Sequence, residues 1–234
     1  MERTWRNLTN MKVSIIIPAY NTEVTIKKAV NSALNQNFPK KDFEVIVIND
    51  GSTDNTLKNL KKYGKRIRII NQKNQGAIKA ANRGFMAARG KYVIKLDSDD
   101  YFTRNILKDM VKILGNKQGI DFIYCDYYEK LIKGKIKIVS TKKIFDTISG
   151  GIMFIKKKLA KVGFYKENVK FAEYDLLLKI LNKWKGHHIA EPLFYYNRRV
   201  ESLTGSRKWL KTAMTQLKKL HPNRIKEIKQ IRSY

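Results

Sequence analysis

The sequence predicts an α/β fold in which a mostly parallel sheet is flanked by helices. Between residues 13 and 96, short apolar runs rich in β-branched residues alternate with segments whose apolar residues recur at helical spacing. The second of these runs, residues 43–49, is almost continuously apolar, which is typical of a strand that is covered on both faces. Strands that alternate with helices in this way indicate parallel strands joined by helical crossovers.

Four strands and three helices are predicted in this first part of the chain. The strands cover residues 13–18, 43–49, 67–71 and 91–96. The helices cover residues 26–34, 56–63 and 78–88, and the last of them stops before Gly90, a residue type that commonly ends helices.

The pattern changes after Asp100. A helix is predicted over residues 106–114, and residues 122–139 indicate a hairpin that turns near Lys133 and Gly134. A further helix is predicted to carry four apolar residues on one face, namely Leu177, Ile180, Leu181 and Trp184. From residue 206 onward the chain is basic and has a high helix propensity.

The 234 residues, 43% of them hydrophobic, suffice for one substantial core and predict a single main domain. We expect an N-terminal extension (residues 1–11), one domain (residues 12–206) and a basic helical tail (residues 207–234). The domain is expected to consist of two halves, residues 12–100 and 101–206, because the pattern changes between them.

The chain is strongly basic, with 49 Lys plus Arg against 20 Asp plus Glu and a formal net charge of +29. Such a surface attracts polyanions, including nucleic acids, anionic lipid headgroups and phosphorylated substrates. The lysines are spread along nearly the whole chain, so a general bias toward lysine on the surface explains the charge equally well.

We expect a cytoplasmic location, with the inner face of the cell membrane as an alternative. The sequence has no apolar run long enough to span a bilayer, and residues 1–10 lack the apolar core of a signal peptide. Cys125 is the only cysteine, which excludes an intrachain disulfide and a cysteine-based zinc site and is consistent with a reducing compartment.

Polar residues follow the second and fourth predicted strands directly. In open α/β sheets, ligands bind at the carboxyl ends of the strands. Residues 49–54 (NDGSTD) provide a carboxylate that can accept hydrogen bonds from a base or ribose, although an ordinary turn before a helix has the same composition.

Three carboxylates lie within residues 96–100 (LDSDD). They repel one another unless a cation is present, and an extended segment would place Asp97 and Asp99 on the same side. Hard oxygen ligands in small number suit Mn²⁺ or Mg²⁺ bridging to substrate phosphates. We therefore predict that Asp97 and Asp99 bind this metal, with a solvated acidic turn as the alternative.

Taken together, these motifs resemble glycosyltransferase family 2, whose members have the GT-A fold. The chain contains four segments in the order and at about the spacing of that family: residues 14–21 (SIIIPAYN), 47–54 (VINDGSTD), 74–84 and 96–100. Three later segments are similar to the acceptor side of the family: residues 150–151, 162–164 and 172–179 (AEYDLLLK). The resemblance covers roughly residues 12–206.

The resemblance implies that residues 12–100 bind a nucleotide-diphosphate sugar and that residues 101–206 bind the acceptor. Asp50 would contact the donor base, and Pro18, Tyr20 and Asn21 would line the nucleotide pocket. Gly76, Asn82, Asp97 and Ser98 would also belong to the donor site. Asp97 and Asp99 match the family's Asp-x-Asp motif, in which Asp99 is expected to be the direct metal ligand.

The resemblance further implies an inverting transfer to an acceptor hydroxyl, which requires a carboxylate base. The family usually has an Asp within a Glu-Asp pair at this point, whereas this chain has Ala172 and Glu173. Glu173 is therefore the predicted base, and Asp175 is the alternative.

Two arginines and the tail complete the predicted contacts. Arg198 and Arg199 could bind the donor diphosphate, because guanidinium groups pair well with phosphate oxygens. A solvated basic loop is an equal alternative. The apolar stripes of the tail suit either a helix on an anionic membrane surface or packing against the domain; they comprise Trp209, Leu210, Met214, Leu217, Ile225, Ile228 and Ile231.

The sequence thus favours a metal-dependent glycosyltransferase with a UDP-sugar as the preferred donor. The expected acceptor is a glycan or a lipid-linked molecule, as in cell-surface glycan or glycolipid synthesis. One alternative is a nucleic-acid-binding protein that uses the basic surface, which we consider less favoured. Another is a relative that binds a nucleotide sugar without turnover, because the base position departs from the family's pattern.

Overall fold

Nine strands form a single sheet in residues 11–198 and 206–231, which are the residues that the computed structural model describes. The strands alternate with helices in the first half of the chain, as the apolar pattern predicts. Their bounds are β1 (Val13–Ala19), β2 (Phe43–Asp50), β3 (Arg68–Gln72), β4 (Tyr92–Lys95), β5 (Tyr101–Phe102), β6 (Phe122–Lys130), β7 (Ile136–Val139), β8 (Ile152–Ile155) and β9 (Gly186–Asn197).

The strand order is β3-β2-β1-β4-β8-β6-β9-β5, and β7 pairs with β6. The first four strands are parallel to one another. In the remainder, β8 is antiparallel to both β4 and β6, β9 is parallel to β6, and β5 is antiparallel to β9. The predicted fold class, a mostly parallel first half followed by a mixed second half, is confirmed.

Eight α-helices accompany the sheet in the described residues. They are α1 (Ile26–Leu34), α2 (Thr56–Lys61), α3 (Ala77–Ala87), α4 (Ile106–Asn116), α5 (Lys156–Lys161), α6 (Ala172–Ile180), α7 (Arg207–Leu220) and α8 (Ile225–Ile228). The prediction that one helical face extends to Trp184 was wrong. Helix α6 ends at Ile180 because Leu181 leaves the helical region and Asn182 adopts a left-handed conformation with φ of +64°.

The predicted hairpin is present as β6 and β7. The backbone N–H of Leu131 donates to the carbonyl of Lys135 at 2.8 Å, and the N–H of Gly134 donates to the carbonyl of Leu131 at 2.8 Å. Gly134 has φ of +80°, a conformation that glycine adopts without steric cost. The turn therefore lies where the sequence predicts it.

The sheet is covered on both faces, and alternate residues of β1 contribute to the two cores. Ile15 and Ile17 belong to the core that α1 and α4 cover, whereas Ile16 belongs to the core that α3 and α6 cover. All three side chains are fully buried. This double coverage explains why the strand sequence is continuously apolar.

The helical tail packs against the core that α3 and α6 cover. Ala213, Leu217 and Ile228 are fully buried there, and Trp209 packs against the same cluster. The tail's apolar stripe therefore packs against the domain, as one of the two interpretations of the sequence expects, and contact of the tail with a membrane surface stays a prediction. No helix of the described chain is long and apolar enough to cross a bilayer.

Because α3 packs closely on β1, we predict that a larger residue at Gly84 destabilises the fold. A Cβ atom at this position would lie 2.3 Å from Cγ2 of the buried Ile16. We expect Gly84→Ala to lower the free energy of unfolding by about 1–3 kcal/mol, because the helix has to move off the strand. Urea unfolding followed by circular dichroism measures the change.

The matched control is Gly115→Ala in α4, where a Cβ atom would meet nothing within 4 Å. This substitution should leave the stability unchanged or raise it slightly, since alanine favours a helix over glycine. Equal effects of the two substitutions would contradict the packing argument.

Candidate functional site

The carboxyl ends of β1, β2, β3 and β4 lie side by side at one edge of the sheet, because these four strands are parallel and adjacent. Polar residues gather at this edge. Asp50 and Gln72 are the last residues of β2 and β3, and Asn21 and Asp97 each lie two residues after the end of β1 and β4. The order of the strands thus brings together motifs that are far apart in the sequence.

Asp50 holds the segment after β3 in place. Its carboxylate is 1% exposed. Oδ1 accepts hydrogen bonds from Gln72 Nε2 at 2.6 Å and from the Gln75 backbone N–H at 2.9 Å, and Oδ2 accepts one from the Gly76 N–H at 2.9 Å. Gly51 permits this close approach, since a Cβ atom there would lie 2.7 Å from the backbone nitrogen of Asn74.

Asn21 joins the end of β1 to the loop after β2. Its Oδ1 accepts a hydrogen bond from the backbone N–H of Thr53 at 2.8 Å, and its own N–H donates to Ser52 Oγ at 3.1 Å. Asn21 has φ of +49°, which asparagine tolerates better than most residues. Pro18 is buried within β1, whereas the neighbouring Tyr20 is 49% exposed.

The acidic segment after β4 is a tight turn rather than an extended segment. The backbone N–H of Asp100 donates to the carbonyl of Asp97 at 3.0 Å, which closes the turn. The expectation that Asp97 and Asp99 share a side as alternate residues of an extended chain was therefore based on the wrong local geometry. Within the turn, Ser98 is 8% exposed.

Asp100 is the buried member of this turn, and Asn197 fixes its position. Asp100 is 2% exposed, and its Oδ1 accepts a hydrogen bond from the backbone N–H of Asn197 at 2.9 Å. Asn197 Nδ2 also donates to the carbonyl of Asp99. Burial, together with the charges of Asp99 and Asp97, raises the pKa of Asp100 well above its usual value. The turn is thus a region of concentrated negative charge.

Lys95 connects the acidic turn with α6. It is the last residue of β4 and is only 5% exposed. Its Nζ donates to Asp97 Oδ1 at 2.7 Å and to Glu173 Oε1 at 3.3 Å. Burial by itself would lower the pKa of Lys95, but the carboxylates of Asp97 and Glu173 outweigh burial and raise it above the ordinary lysine value. Lys95 is therefore a buried cation shared by two carboxylates.

Comparison with known proteins gives a family match for this chain. The family model described as "Glycosyl transferase family 2" matches residues 14–166, which is more than half of the chain. The chain belongs to glycosyl transferase family 2. The match includes the polar strand ends and the acidic turn.

Relatives of this glycosyltransferase include bacterial proteins. An uncharacterized glycosyltransferase of Rickettsia prowazekii is 29% identical over 230 residues, which cover 91% of this chain and 70% of the relative. Poly(ribitol-phosphate) beta-N-acetylglucosaminyltransferase TarS of Staphylococcus aureus is 40% identical over 103 residues. That match covers 42% of this chain and only 18% of TarS.

Solved structures share the GT-A fold of this glycosyltransferase. The structure of S. aureus TarS in complex with UDP has a TM-score of 0.70 at 24% identity and covers 87% of this chain and 65% of that one. The mannosyltransferase PcManGT from Pyrobaculum calidifontis, in complex with GDP-Man and Mn²⁺, has a TM-score of 0.70 at 16% identity. That match covers 91% of this chain and 64% of PcManGT.

The two predicted bases of the glycosyltransferase lie on different faces of α6. Glu173 contacts Lys95, whereas Asp175 Oδ1 lies 2.8 Å from Nε2 of His221, which follows the tail helix α7. Residues two apart on a helix are separated by about 200° around its axis. The structure therefore brings Glu173, and not Asp175, to the acidic turn.

Asn82 and Arg198 both contact protein groups. Asn82 is 4% exposed, and its amide donates to the carbonyl of Tyr165 at 2.8 Å and accepts from the Tyr165 N–H at 3.0 Å. Arg198 Nη1 lies 3.6 Å from the buried Glu129 carboxylate. Arg199 lies outside the described residues. The predicted donor contacts of these three residues stay predictions.

Sequence reasoning missed Lys95, Asn197 and Tyr165 as parts of the site. Tyr165 is 2% exposed, and the pKa of its hydroxyl is raised by burial and by the charge of Glu173. The sequence could have drawn attention to Lys95, because it is a charged residue in a strand that is otherwise apolar. Its partner Glu173 lies 78 residues further along the chain, so the pairing itself was not visible.

The acidic turn fits a divalent cation that is completed by substrate oxygens. Among the described residues, no group of three or more His, Cys, Asp or Glu side chains could hold a metal ion. Mn²⁺ or Mg²⁺ at a phosphate site needs only one or two protein carboxylates. Asp97 and Asp99 are two such carboxylates in one turn, and the metal site predicted for them stays a prediction.

The Lys95 ion pairs predict a measurable coupling to Glu173. Lys95→Met should lower the stability, since it removes a buried cation from between two carboxylates. In that background, Glu173→Gln should cost less than it does in the wild type, with a coupling free energy of roughly 1 kcal/mol. Chemical denaturation of the four proteins of this double-mutant cycle measures the coupling. Strictly additive effects would contradict the contact.

Proposed function

We propose that the chain is an inverting glycosyltransferase that moves a sugar from a nucleotide-diphosphate donor to an acceptor hydroxyl. The observation that carries this proposal is the Lys95 bridge, because one buried ammonium contacts Asp97 of the donor-side motif and Glu173 of the acceptor-side motif. A glycosyltransferase has to hold the donor and the acceptor next to each other, and Lys95 joins the two motifs that would hold them.

The cytoplasmic location expected from the sequence stays a prediction.

The donor side of the proposed site is the polar edge of the parallel strands. We assign the nucleotide to the surface formed by the exposed Tyr20, Asn21 and Gly76, with Asp50 behind it. Asp50 would contact the donor base, and its three hydrogen bonds hold the Gln72 side chain and the backbone at Gln75 and Gly76 beside the same surface. A UDP-sugar is the preferred candidate, because TarS, which is 40% identical over 103 residues, has been solved with UDP and with UDP-GlcNAc, whereas PcManGT, solved with GDP-Man, is 16% identical.

Asp97 and Asp99 would hold Mn²⁺ or Mg²⁺ in this proposal. When bound, the ion supplies positive charge that stabilises the negative charge developing on the leaving diphosphate. Lys95 keeps one oxygen of Asp97 in a defined position through its 2.7 Å contact. The protein thus orients the carboxylate before any ligand arrives.

Glu173 would act as the base on the face of the sugar opposite the diphosphate. The acceptor hydroxyl attacks the anomeric carbon, the bond from that carbon to the phosphate oxygen breaks, and the electron pair leaves with the diphosphate. The hydroxyl proton passes to Glu173, whose Oε1 is held by Lys95. A single displacement of this kind inverts the anomeric configuration. The acceptor would be a glycan or a lipid-linked molecule of the cell surface.

The two carboxylates of α6 allow a matched test of the base. Glu173→Gln should lower kcat by roughly 10²–10⁴-fold without loss of donor binding, because glutamine cannot accept the proton, whereas Asp97 still pairs with Lys95. Asp175→Asn is the same chemical change on the opposite helix face, so it should weaken the contact with His221 and retain most of the activity. Initial rates with a UDP-sugar and released UDP as the readout distinguish the two.

The opposite ranking of these two variants would assign the base to Asp175. Donor binding without turnover in the wild type, across a panel of sugar acceptors, would instead favour a non-catalytic relative. Salt-sensitive binding to nucleic acid with no response to any nucleotide sugar would favour the nucleic-acid alternative.

Metal-assisted donor binding tests the acidic turn. The thermal midpoint of the wild type should rise with UDP-, GDP- or dTDP-sugars in the presence of Mn²⁺, and less so with EDTA, since a ligand that binds the folded state stabilises it. Asp99→Asn should remove the Mn²⁺-dependent part of the shift. Glu191→Gln, which removes one exposed carboxylate from β9, is the control and should keep it. An unchanged response of the Asp99 variant would contradict the metal assignment.

A further inference from the structure

A row of apolar side chains crosses four neighbouring strands on one face of the sheet. In register, Ile138 of β7 pairs with Tyr128 of β6, Tyr128 with Tyr195 of β9, and Tyr195 with Tyr101 of β5. Residues that pair directly in a sheet project from the same face. The Tyr195 ring stacks on Tyr128 with a centroid distance of 4.5 Å and on Tyr101 with one of 4.4 Å. The row runs from the acidic turn to the β6–β7 hairpin.

The hairpin end of this row is exposed. Ile132, Ile136 and Ile138 are 62%, 48% and 63% exposed and lie within seven residues of one another. Ile136 and Ile138 are two residues apart in the edge strand β7, so they project from the same face. The other large exposed apolar side chains of the described chain, Tyr20, Val24 and Met86, lie in separate segments. The hairpin therefore carries a concentrated apolar surface.

The charged residues in and directly after the hairpin turn are all positive. Residues 130–143 contain six lysines and no acidic residue. Lys137 contacts the buried Glu129 at 2.9 Å, whereas the side chains of Lys133, Lys135, Lys142 and Lys143 are exposed. Exposed isoleucines that are surrounded by exposed lysines match a partner that is apolar inside and anionic at its surface.

We propose that the β6–β7 hairpin is a docking surface for an anionic lipid bilayer. The isoleucines enter the boundary between headgroups and acyl chains, and the lysines contact the anionic headgroups. The tail is less suited to this role, because its apolar residues are buried or partly buried against the domain. Edge pairing with a second copy is disfavoured, because it would bring two lysine-rich hairpins together.

Docking by the hairpin would orient the candidate site toward the lipid surface. Tyr101, at the far end of the row, directly follows Asp100 of the acidic turn. The row of side chains thus connects the docking surface with the site across only four strands. The proposal rests on exposure and charge and does not depend on the sugar-transfer reaction.

Vesicle co-sedimentation of the full chain tests the proposal. The wild type should bind phosphatidylcholine vesicles that contain phosphatidylglycerol and not vesicles of phosphatidylcholine alone. Ile136→Ser/Ile138→Ser and Lys133→Glu/Lys135→Glu should each lower the partition coefficient roughly tenfold or more. Added salt should weaken binding of the wild type, because it screens the lysines.

Two control variants keep the test specific. Met86→Ser removes one exposed apolar side chain elsewhere (59% exposed), and Lys61→Glu/Lys65→Glu makes the same charge change outside the hairpin. Both should bind more tightly than the hairpin variants, and circular dichroism should show that all variants are folded.

Three results would overturn the proposal: no binding to anionic vesicles, equal binding to neutral vesicles, or hairpin variants that bind as well as the controls. Sedimentation velocity without lipid provides a further check. A dimer that the isoleucine substitutions abolish would assign the hairpin to self-association and would also overturn the proposal.

Discussion

The site depends on one buried cation, the ammonium of Lys95 at the end of β4. A lysine that is 5% exposed is costly unless anionic groups surround it, and Asp97 and Glu173 fulfil this requirement. The same contacts fix the positions of both carboxylates. Lys95 thereby joins the parallel half of the sheet, which provides the acidic turn, to the helix that carries the candidate base.

The surrounding structure holds this centre in place from several sides. Asn197 attaches the end of β9 to the acidic turn, and Asn82 clamps the backbone of Tyr165 against α3. Asp50 orders the loop after β3 in the same way. Buried polar groups are stable only when hydrogen-bonded, so these networks allow one arrangement of the loops at the polar edge. Such rigidity is what a site for positioned transfer requires.

Much of the fold was predictable from the sequence, because strands buried on both faces and amphipathic helices leave strong local patterns. The four parallel strands, the hairpin turn at Gly134 and the stop of α3 before Gly90 follow from such patterns. The insertion of β8 between β4 and β6 did not follow, since strand order depends on contacts between distant segments. The length of α6 was overestimated because a left-handed Asn182 leaves no periodic signal.

The candidate site was predictable at the level of motifs and less so at the level of contacts. The motif pattern singled out Asp50, the acidic turn and the two carboxylates of α6 as candidates, and their roles stay predictions. It could not distinguish Glu173 from Asp175, because only the folded chain shows which of them contacts Lys95 and which contacts His221. It also assigned Asn82 to the donor, and this assignment stays a prediction; in the folded chain the amide contacts the backbone of Tyr165.

A crystal structure of the chain with Mn²⁺ and a UDP-sugar would show whether the acidic turn holds the donor. We expect a metal ion between the diphosphate and the carboxylates of Asp97 and Asp99, with Lys95 still in contact with Asp97 and Glu173. Glu173 should then face the anomeric carbon from the side opposite the diphosphate. A donor bound away from the acidic turn, or a Glu173 side chain that points away from the sugar, would contradict this expectation.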